Sequence, residues 1–249
     1  MAFESGQNKP HPILTRYYAD EGERRAYVTR LFDRAAQHYD WINRVMSLGT
    51  GHLYRRQALR RMGLSTGMRV LDIGCGTGVI AQHAANIAGP QGCVVGLDPS
   101  IGMLHAAVQW RVPLAVQALG ECLPFRADSF DAVTMGYALR HVSDLGLAFR
   151  EYWRVLKPGG RVLLLELVPP ACRPFYMLFK LYIKWVIPGL TGLCRRGQDA
   201  RMMITYLWDT IEQCVSPATI MTTFQMAGFG QIRQRAWGGV FGEYSARKM

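Results

Sequence analysis

The chain has 249 residues, of which 49% are hydrophobic and 19% are charged, which fits one sizeable globular domain with its own core. The N-terminus lacks the apolar run of a signal peptide, so we expect a cytoplasmic protein. The longest apolar stretch, residues 175–188, is interrupted by Lys180 and Lys184 and is too short to span a bilayer. These features argue against a secreted or membrane-spanning protein.

The formal net charge of +11 is unevenly distributed along the chain. Residues 1–62 contain eleven Lys and Arg against six Asp and Glu, and residues 169–249 contain ten against four. Residues 63–168 contain eight of each kind, so the whole excess lies outside this middle segment. A basic rim around a neutral core suggests an anionic partner, either nucleic acid or a membrane face, or else a merely solvated basic surface.

The six cysteines, at positions 75, 93, 122, 172, 194 and 214, form no CxxC pair. They also show no metal-ligand spacing with histidine. We therefore expect reduced thiols and no metal site.

Short apolar runs alternate with helical stretches over most of the chain. Residues 24–62 have a helical pattern, with apolar positions at Tyr27, Leu31 and Ala35. Strands are predicted at 68–73, 92–97, 112–117, 130–136 and 160–167, with helices between them at 78–88, 100–109 and 144–156. This alternation predicts an α/β fold with a parallel sheet that is covered on both faces.

A different pattern follows Pro169 and Pro170. An insertion rich in aromatic and basic residues comes first, and Ser216-Pro217 then predicts the start of a helix. Two further strand-like runs lie near 229–237 and 240–247, where a hairpin would close the sheet.

The stretch "DIGCGTGVI" places Gly74, Gly76 and Gly78 after a strand and at the opening of a helix. Open α/β sheets bind ligands at this edge, where a bare turn lets a ligand reach backbone amides and a helix N-terminus favours a negative group. The spacing is GxGxG, and Val79 stands where a dinucleotide fingerprint has Gly or Ala. A purely structural tight turn is the alternative.

Two aspartates accompany this turn. Asp72 precedes the first glycine, where it can orient the loop or take an ammonium group. Asp98 ends the next strand, where a carboxylate can accept both hydroxyls of a ribose. Asp98 could instead simply cap the helix that begins at Ser100.

The glycine turn, the acidic strand end, "LPF…FDAV" and "RVLKPGGRVLLLE" together resemble class I S-adenosylmethionine-dependent methyltransferases over roughly residues 65–168. The resemblance implies a Rossmann-like sheet of seven strands, mostly parallel with the last strand antiparallel. It also implies S-adenosylmethionine as the cofactor. We accordingly divide a single domain into a helical cap (1–62), a cofactor-binding core (63–168), a helical substrate-side insertion (169–215), and a last helix with a strand pair (216–249).

The resemblance also assigns residues to the cofactor. It implies that the glycine loop takes the methionine portion, that Asp98 holds the ribose, and that Met103 lies beside the adenine. The full predicted set is Asp72, Gly74, Cys75, Gly76, Gly78, Asp98, Pro99, Ser100, Met103, Gly120 and Glu121. One departure is Leu119, because family members often have an acidic residue there that contacts the adenine amino group.

Within this class, "FDRAAQHYDWINRVMSLG" and "YALRHVSD" resemble the UbiE-type C-methyltransferases of ubiquinone and menaquinone synthesis. That family has His and Trp where this chain has Gly51 and Tyr54, and Ser where it has Val168. The resemblance implies C-methylation of a prenylated quinol precursor. The three changed positions leave open an O- or N-methyltransferase of a soluble aromatic or heteroaromatic metabolite. A nucleic-acid methyltransferase and a non-catalytic cofactor binder are weaker alternatives, since no RNA-binding module and no NPPY-like run are found.

The chemistry of a quinol suggests catalytic residues. A phenol titrates near pH 10, so a base or a positive charge must assist its ionisation. The resemblance places Arg140 and Tyr39 on the substrate side, and we expect Arg140 to stabilise the phenolate while Tyr39 orders the ring. His141 is the alternative base, or else a helix cap or loop contact.

The insertion is the expected substrate contact. Lys180 and Lys184 are four residues apart and share one helical face, with aromatic residues around them. Such a helix can dock on the inner face of a membrane, with its charges on lipid phosphates, or can simply cover the active site as a lid.

Overall fold

The computed structural model describes residues 9–47, 49–109, 112, 114–191 and 197–249. Cys194 and position 113 of the third predicted strand lie outside the described residues. The strands are β1 (Arg69–Ile73), β2 (Cys93–Asp98), β3 (Leu114–Gln117), β4 (Phe130–Gly136), β5 (Leu156–Leu167), β6 (Phe229–Trp237) and β7 (Phe241–Lys248). The helices are α1 (Glu21–Met46), α2 (Gly51–Met62), α3 (Val79–Ala88), α4 (Ile101–Gln109), α5 (Leu145–Val155), α6 (Arg173–Leu181), α7 (Ile187–Thr191), α8 (Gly197–Glu212) and α9 (Pro217–Met226).

The strands form one sheet in the order β3-β2-β1-β4-β5-β7-β6. The five strands from β3 to β5 are mutually parallel. The last strand of the chain, β7, is antiparallel to both β5 and β6, between which it is inserted. The predicted α/β sheet of seven strands with an antiparallel last strand is therefore confirmed.

Successive residues of each strand point to opposite faces, so each face has its own core. On one face, Leu71 and Ile73 of β1 lie in a cluster with residues of α5 and α9, whose Phe149 and Phe224 rings stack at 4.2 Å. On the other face, Val70 lies in a cluster with buried residues of α2 and α3. A third apolar cluster joins α1 to α8 and to a π-helical turn, Tyr182–Val186.

The main differences from the predicted boundaries are a break in the first helical region and an early start of β5. The helical region 24–62 is two helices, because the chain turns at Gly49, whose φ of +76° is left-handed. Strand β5 begins at Leu156 instead of residue 160, with a shift in its register against β4 between Phe130 and Ala132. None of the helices in the described part of the chain has the length and apolarity that crossing a bilayer requires. The five cysteines of that part are free thiols.

Candidate functional site

The carboxyl ends of β1, β2 and β4 open into a cleft, which we call the cofactor cleft. Its walls are the glycine loop, the segments that follow β2, β3 and β4, and one face of α1. Seven of the predicted cofactor residues line it: Gly74, Gly76, Asp98, Pro99, Ser100, Gly120 and Glu121. The strand ends thus bring together residues that are far apart in the sequence.

The other four predicted cofactor residues lie behind the wall of the cleft. Asp72 accepts a hydrogen bond from Thr134 Oγ1 at 2.7 Å, and burial raises the pKa of its carboxyl to about 7. Cys75 and Met103 are buried, and Gly78 immediately precedes α3 as its N-cap, with a φ of +86°. These residues shape the loop and its support, and the structure does not place them at the surface of the cleft.

The glycine loop fits a ligand that approaches the backbone. Gly74 and Gly76 have φ values of +61° and +55°, which L side chains rarely adopt. A Cβ atom at Gly74 would lie 2.6 Å from the Cβ of Ala138. Side chains are therefore excluded from this turn by conformation at both positions and by space at Gly74.

The Asp98 carboxylate is held in place by two backbone amides. Its Oδ2 accepts the amide of Gly76 at 2.9 Å, and its Oδ1 accepts the amide of Ser100 at 2.9 Å. Burial raises the pKa of this carboxyl to about 6, and the two amide donors oppose that rise. Each oxygen keeps a free lone pair, so the ionised group can accept two hydroxyls of a ribose.

Helix α1 closes one side of the cleft through two aspartates that sequence reasoning missed. Asp33 accepts from Ser100 Oγ at 2.6 Å and from the amide of Gly102 at 2.9 Å. Asp40 accepts a hydrogen bond from Thr77 Oγ1 in the glycine loop. The two aspartates are seven residues apart and therefore share one face of the helix. That spacing, each time after an aromatic residue, is the signal that could have identified them.

A buried arginine fixes the loop after β4. Arg24 of α1 donates to the carbonyl oxygens of Arg140 and Val142 at 2.8 and 3.0 Å. This loop carries both predicted catalytic residues of the segment, so α1 positions it as well as the glycine loop.

A second space, which we call the apolar cavity, adjoins the cofactor cleft. Its volume is about 520 Å³. Its lining comes from α1, α2, α6, the π-helical turn and α8, and from the segment after β4, the end of β5 and the start of β7. Tyr39 and Tyr137 line both spaces, so the two tyrosines stand at their junction. Tyr137 has a φ of +62°, a backbone strain of about 1–3 kcal/mol that is typical of functional sites.

Tyr39 and Arg140, both predicted as catalytic, line the apolar cavity. Burial raises the pKa of the Tyr39 hydroxyl, so this group stays protonated at neutral pH. Arg140 forms an ion pair with Glu166, and both side chains are buried. Arg140 Nε also donates to Thr210 Oγ1 at 3.3 Å. The charge of Arg140 is thus already balanced by a carboxylate of the protein.

His141 lines the cofactor cleft between two aromatic rings. Its ring lies 5.0 Å from that of Phe32 and 5.7 Å from that of Tyr206. Burial, together with Arg140 and Arg24, lowers the pKa of His141 well below its ordinary value. An imidazole with so little affinity for a proton is a poor acceptor for a phenol proton, which favours a packing role.

The lysines of the insertion face inward. Lys180 and Lys184 lie 5.6 and 6.0 Å from the ring centroid of Trp208 in α8, and Lys180 forms an ion pair with Glu212 at 2.7 Å. The large apolar side chains that α6 and the π-helical turn expose are Phe175, Met177, Leu178, Leu181, Trp185 and Val186. The outward face of this segment is therefore mainly apolar, in contrast to the basic docking face considered from the sequence.

The residues of the cofactor cleft fit an adenosine that carries an amino-acid tail. The bare glycine loop admits the tail beside backbone amides, and Asp98 suits the ribose. Leu97 and Leu119 supply apolar wall for a base. Glu121 lines the same region and accepts from Ser143 Oγ at 2.7 Å.

Comparison with known proteins agrees with this geometry. The family model described as the ubiE/COQ5 methyltransferase family matches residues 19–248. A relative from Syntrophotalea carbinolica, named ubiquinone/menaquinone biosynthesis C-methyltransferase UbiE, is 36% identical over 86% of this chain and 91% of its own length. A demethylmenaquinone methyltransferase from Mycobacterium sp. (strain KMS) is 35% identical over 89% of this chain and 94% of its own length.

A solved structure shares the fold. The SAM-dependent methyltransferase from Aquifex aeolicus superposes with a TM-score of 0.60 at 16% identity, covering 84% of this chain and 98% of the other. The cofactor of this chain is S-adenosylmethionine, and the chain is a methyltransferase. The glycine loop, the Asp98 carboxylate and the match over residues 19–248 all lead to one conclusion: the chain belongs to the ubiE/COQ5 methyltransferase family.

Proposed function

We propose that the protein methylates a ring carbon of a prenylated quinol. The observation that carries this proposal is the apolar cavity, which meets the cofactor cleft at Tyr39 and Tyr137. Two relatives are named for C-methylation in ubiquinone and menaquinone biosynthesis and for methylation of demethylmenaquinone, which supports the same reaction.

The opening of the cavity suits a long apolar tail. Leu178, Leu181 and Val186 line the cavity and are also exposed on the surface. A prenyl chain that leaves the cavity would therefore pass directly onto the apolar face of α6. A compact polar metabolite would leave most of this lining without contacts.

The reaction needs an electron-rich ring carbon in line with the methyl group. S-adenosylmethionine supplies an electrophilic methyl group whose bonding electron pair stays with sulfur. The protein must align the acceptor ring, exclude water and favour ionisation of a ring hydroxyl. Tyr39, at the junction, is suited to ordering the ring. Arg140 can add a positive field, although Glu166 balances most of its charge.

A series of acceptors with the same naphthoquinol ring and increasing prenyl length tests this function. We expect kcat/KM to rise at least about tenfold on adding the first isoprene unit, because each buried methylene contributes about 0.8 kcal/mol. NMR of the product should show the new methyl group on carbon. An O-methyl or N-methyl product, or equal rates with an unprenylated phenol, would favour a methyltransferase of soluble aromatic metabolites instead.

We also propose that the exposed face of α6 contacts a membrane that holds such a substrate. Trp185 and the leucines of this face match the side chains found at lipid interfaces. Leu181→Asp should reduce sedimentation with phosphatidylglycerol vesicles by several-fold, whereas Leu53→Asp, at a residue 55% exposed against 54% for Leu181, should not. Equal binding of all three proteins, or no binding by the parent chain, would contradict this contact.

A further inference from the structure

Two arginines line the apolar cavity, and their charges are balanced differently. Arg140 forms a buried ion pair with Glu166. Arg55 of α2 is only 7% exposed, yet among the residues that the structure describes it forms neither a hydrogen bond nor an ion pair. Its side chain lines the cavity, so a guanidinium without a counter-ion there is accessible to an anionic ligand, whose charge would offset the cost of burying the cation.

The position of Arg55 is fixed by an aromatic ring at the junction of the two spaces. Its guanidinium carbon lies 4.9 Å from the ring centroid of Tyr137, within the range of a cation–π contact. Tyr137 lines the cofactor cleft as well as the apolar cavity. The positive charge of Arg55 therefore stands beside the route that joins methyl donor and acceptor.

Gly51 makes room for this guanidinium. A Cβ atom at Gly51 would lie 2.5 Å from Arg55 Nη1 and 2.9 Å from Ser47 Oγ. Any larger residue at position 51 must displace the head of Arg55. Gly51, which stands where the resembling family has histidine, therefore determines where the guanidinium of Arg55 lies.

Six ionisable groups interact electrostatically with Arg55, and they come from four helices and strands and from the segment after β4. They are Tyr39 on α1, His52 and Tyr54 on α2, Asp72 on β1, His83 on α3 and Tyr137 after β4. Asp72 is the one carboxyl in this set, and it is bonded to Thr134. No described carboxylate pairs with Arg55, so its charge remains available to a ligand.

We propose that Arg55 binds the ionised ring oxygen of the acceptor and so acts as a catalytic residue. This inference rests on the proposed function, because it takes the acceptor to be a phenol or quinol. The hydroxyl proton passes to solvent, and the oxygen electrons increase the density on the ring carbon. That carbon forms the new C–C bond as the C–S bond breaks, and the ring becomes a dienone. The carbon then loses its own proton to solvent, which restores the aromatic phenolate, and the ring oxygen takes one proton back from solvent when the product leaves. The sum is one methyl transferred and one net proton released.

The first test uses a chromogenic phenol, 2-prenyl-4-nitrophenol, whose phenolate absorbs visible light. Bound to the parent protein with S-adenosylhomocysteine, it should ionise at a pH at least about one unit lower than in solution, a tenfold change in its ionisation constant. Arg55→Met should abolish this shift. Arg56→Met makes the same change one residue further along α2, on an exposed side chain, and should keep it.

The second test is kinetic. Arg55→Met should lower kcat for the prenylated quinol about 100-fold at neutral pH, and high pH should restore part of the rate. Arg55→Lys keeps the positive charge, so its kcat should be about tenfold higher than that of Arg55→Met. Gly51→Ala should displace the guanidinium of Arg55. The bound phenol probe should then ionise at a pH closer to that seen with Arg55→Met. Affinity for S-adenosylhomocysteine should stay within about twofold in all three variants.

The outcomes separate the two proposals. An unchanged probe ionisation in Arg55→Met, or no lowering in the parent protein, overturns the role of Arg55 whatever the acceptor is. If the probe responds to Arg55 while no quinol is methylated, the anion site stands and the proposed acceptor is wrong. A fall in thermal stability of Arg55→Met would indicate a structural role, since removal of an unpaired buried charge should leave the melting temperature equal or higher.

Discussion

The cofactor cleft and the apolar cavity adjoin each other but are built in opposite ways. In the cleft, the carboxylate of Asp98 already accepts two backbone amides, one from the loop after the neighbouring strand β1 and one from the segment after its own strand β2. The cavity is assembled mainly from helices that precede β1 and from the helical insertion between β5 and β6. Of its two arginines, Arg140 is paired with Glu166, and Arg55 has no ion-pair partner among the described residues. We therefore propose that the sheet fixes donor recognition, whereas the packing of helices determines the acceptor side.

The largest expected effect is on stability, when the buried ion pair between Arg140 and Glu166 is broken. Glu166→Ala would leave Arg140 buried without a counter-ion, so we expect a loss of about 3–5 kcal/mol in the free energy of unfolding, measured by urea denaturation. The double variant Arg140→Met/Glu166→Leu should recover most of this loss, because neither charge remains. A double variant as unstable as Glu166→Ala would show that the pair is needed for more than mutual neutralisation.

The second largest expected effect is on ligand binding, when the carboxylate of Asp98 is removed from the cofactor cleft. Asp98→Ala should weaken binding of S-adenosylhomocysteine about 100-fold by calorimetry, since two charge-assisted hydrogen bonds of about 1.5 kcal/mol each are lost. Asp131→Ala is the matched control, because Asp131 also accepts a backbone amide, that of Arg69, but lies at the opposite edge of the sheet. If both variants bound S-adenosylhomocysteine with equal affinity, Asp98 would not contact this ligand.

The smallest effect is the pH dependence of the cleft. With a pKa of about 6 in the free protein, raised by burial, Asp98 loses its charge as the pH falls from 7 to 5. Affinity for S-adenosylhomocysteine should therefore fall about tenfold over this range, and Asp98→Asn should flatten the dependence. Burial makes the folded chain bind this proton more tightly than the unfolded chain does. The ligand-free protein should consequently gain stability from Asp98 as the pH falls from about 6 towards 4.

The sheet, and the glycine loop and Asp98 in the wall of the cleft, could be predicted from the sequence. The period-two and period-3.6 patterns located all seven strands, and the glycine loop and Asp98 are features of single strand ends. Such features are local in the chain, so a motif a few residues long reports them.

The remaining contacts join residues that no local pattern connects. The pairing of Arg140 with Glu166 and the approach of Arg55 to Tyr137 depend on how the loop after β4 meets β5 and α2. For the same reason the sequence could not show that Lys180 pairs with Glu212 on α8. Which charges remain uncompensated is decided only when the helices are assembled on the sheet.

The two hydrogen-bonded aspartates of α1 bear on how quickly the enzyme can turn over. Asp33 and Asp40 join this helix to Ser100 and Thr77 on either side of the donor site. If the spent donor leaves past this wall, we expect it to leave faster when the two contacts are weakened. The same weakening should admit more water to the reacting groups.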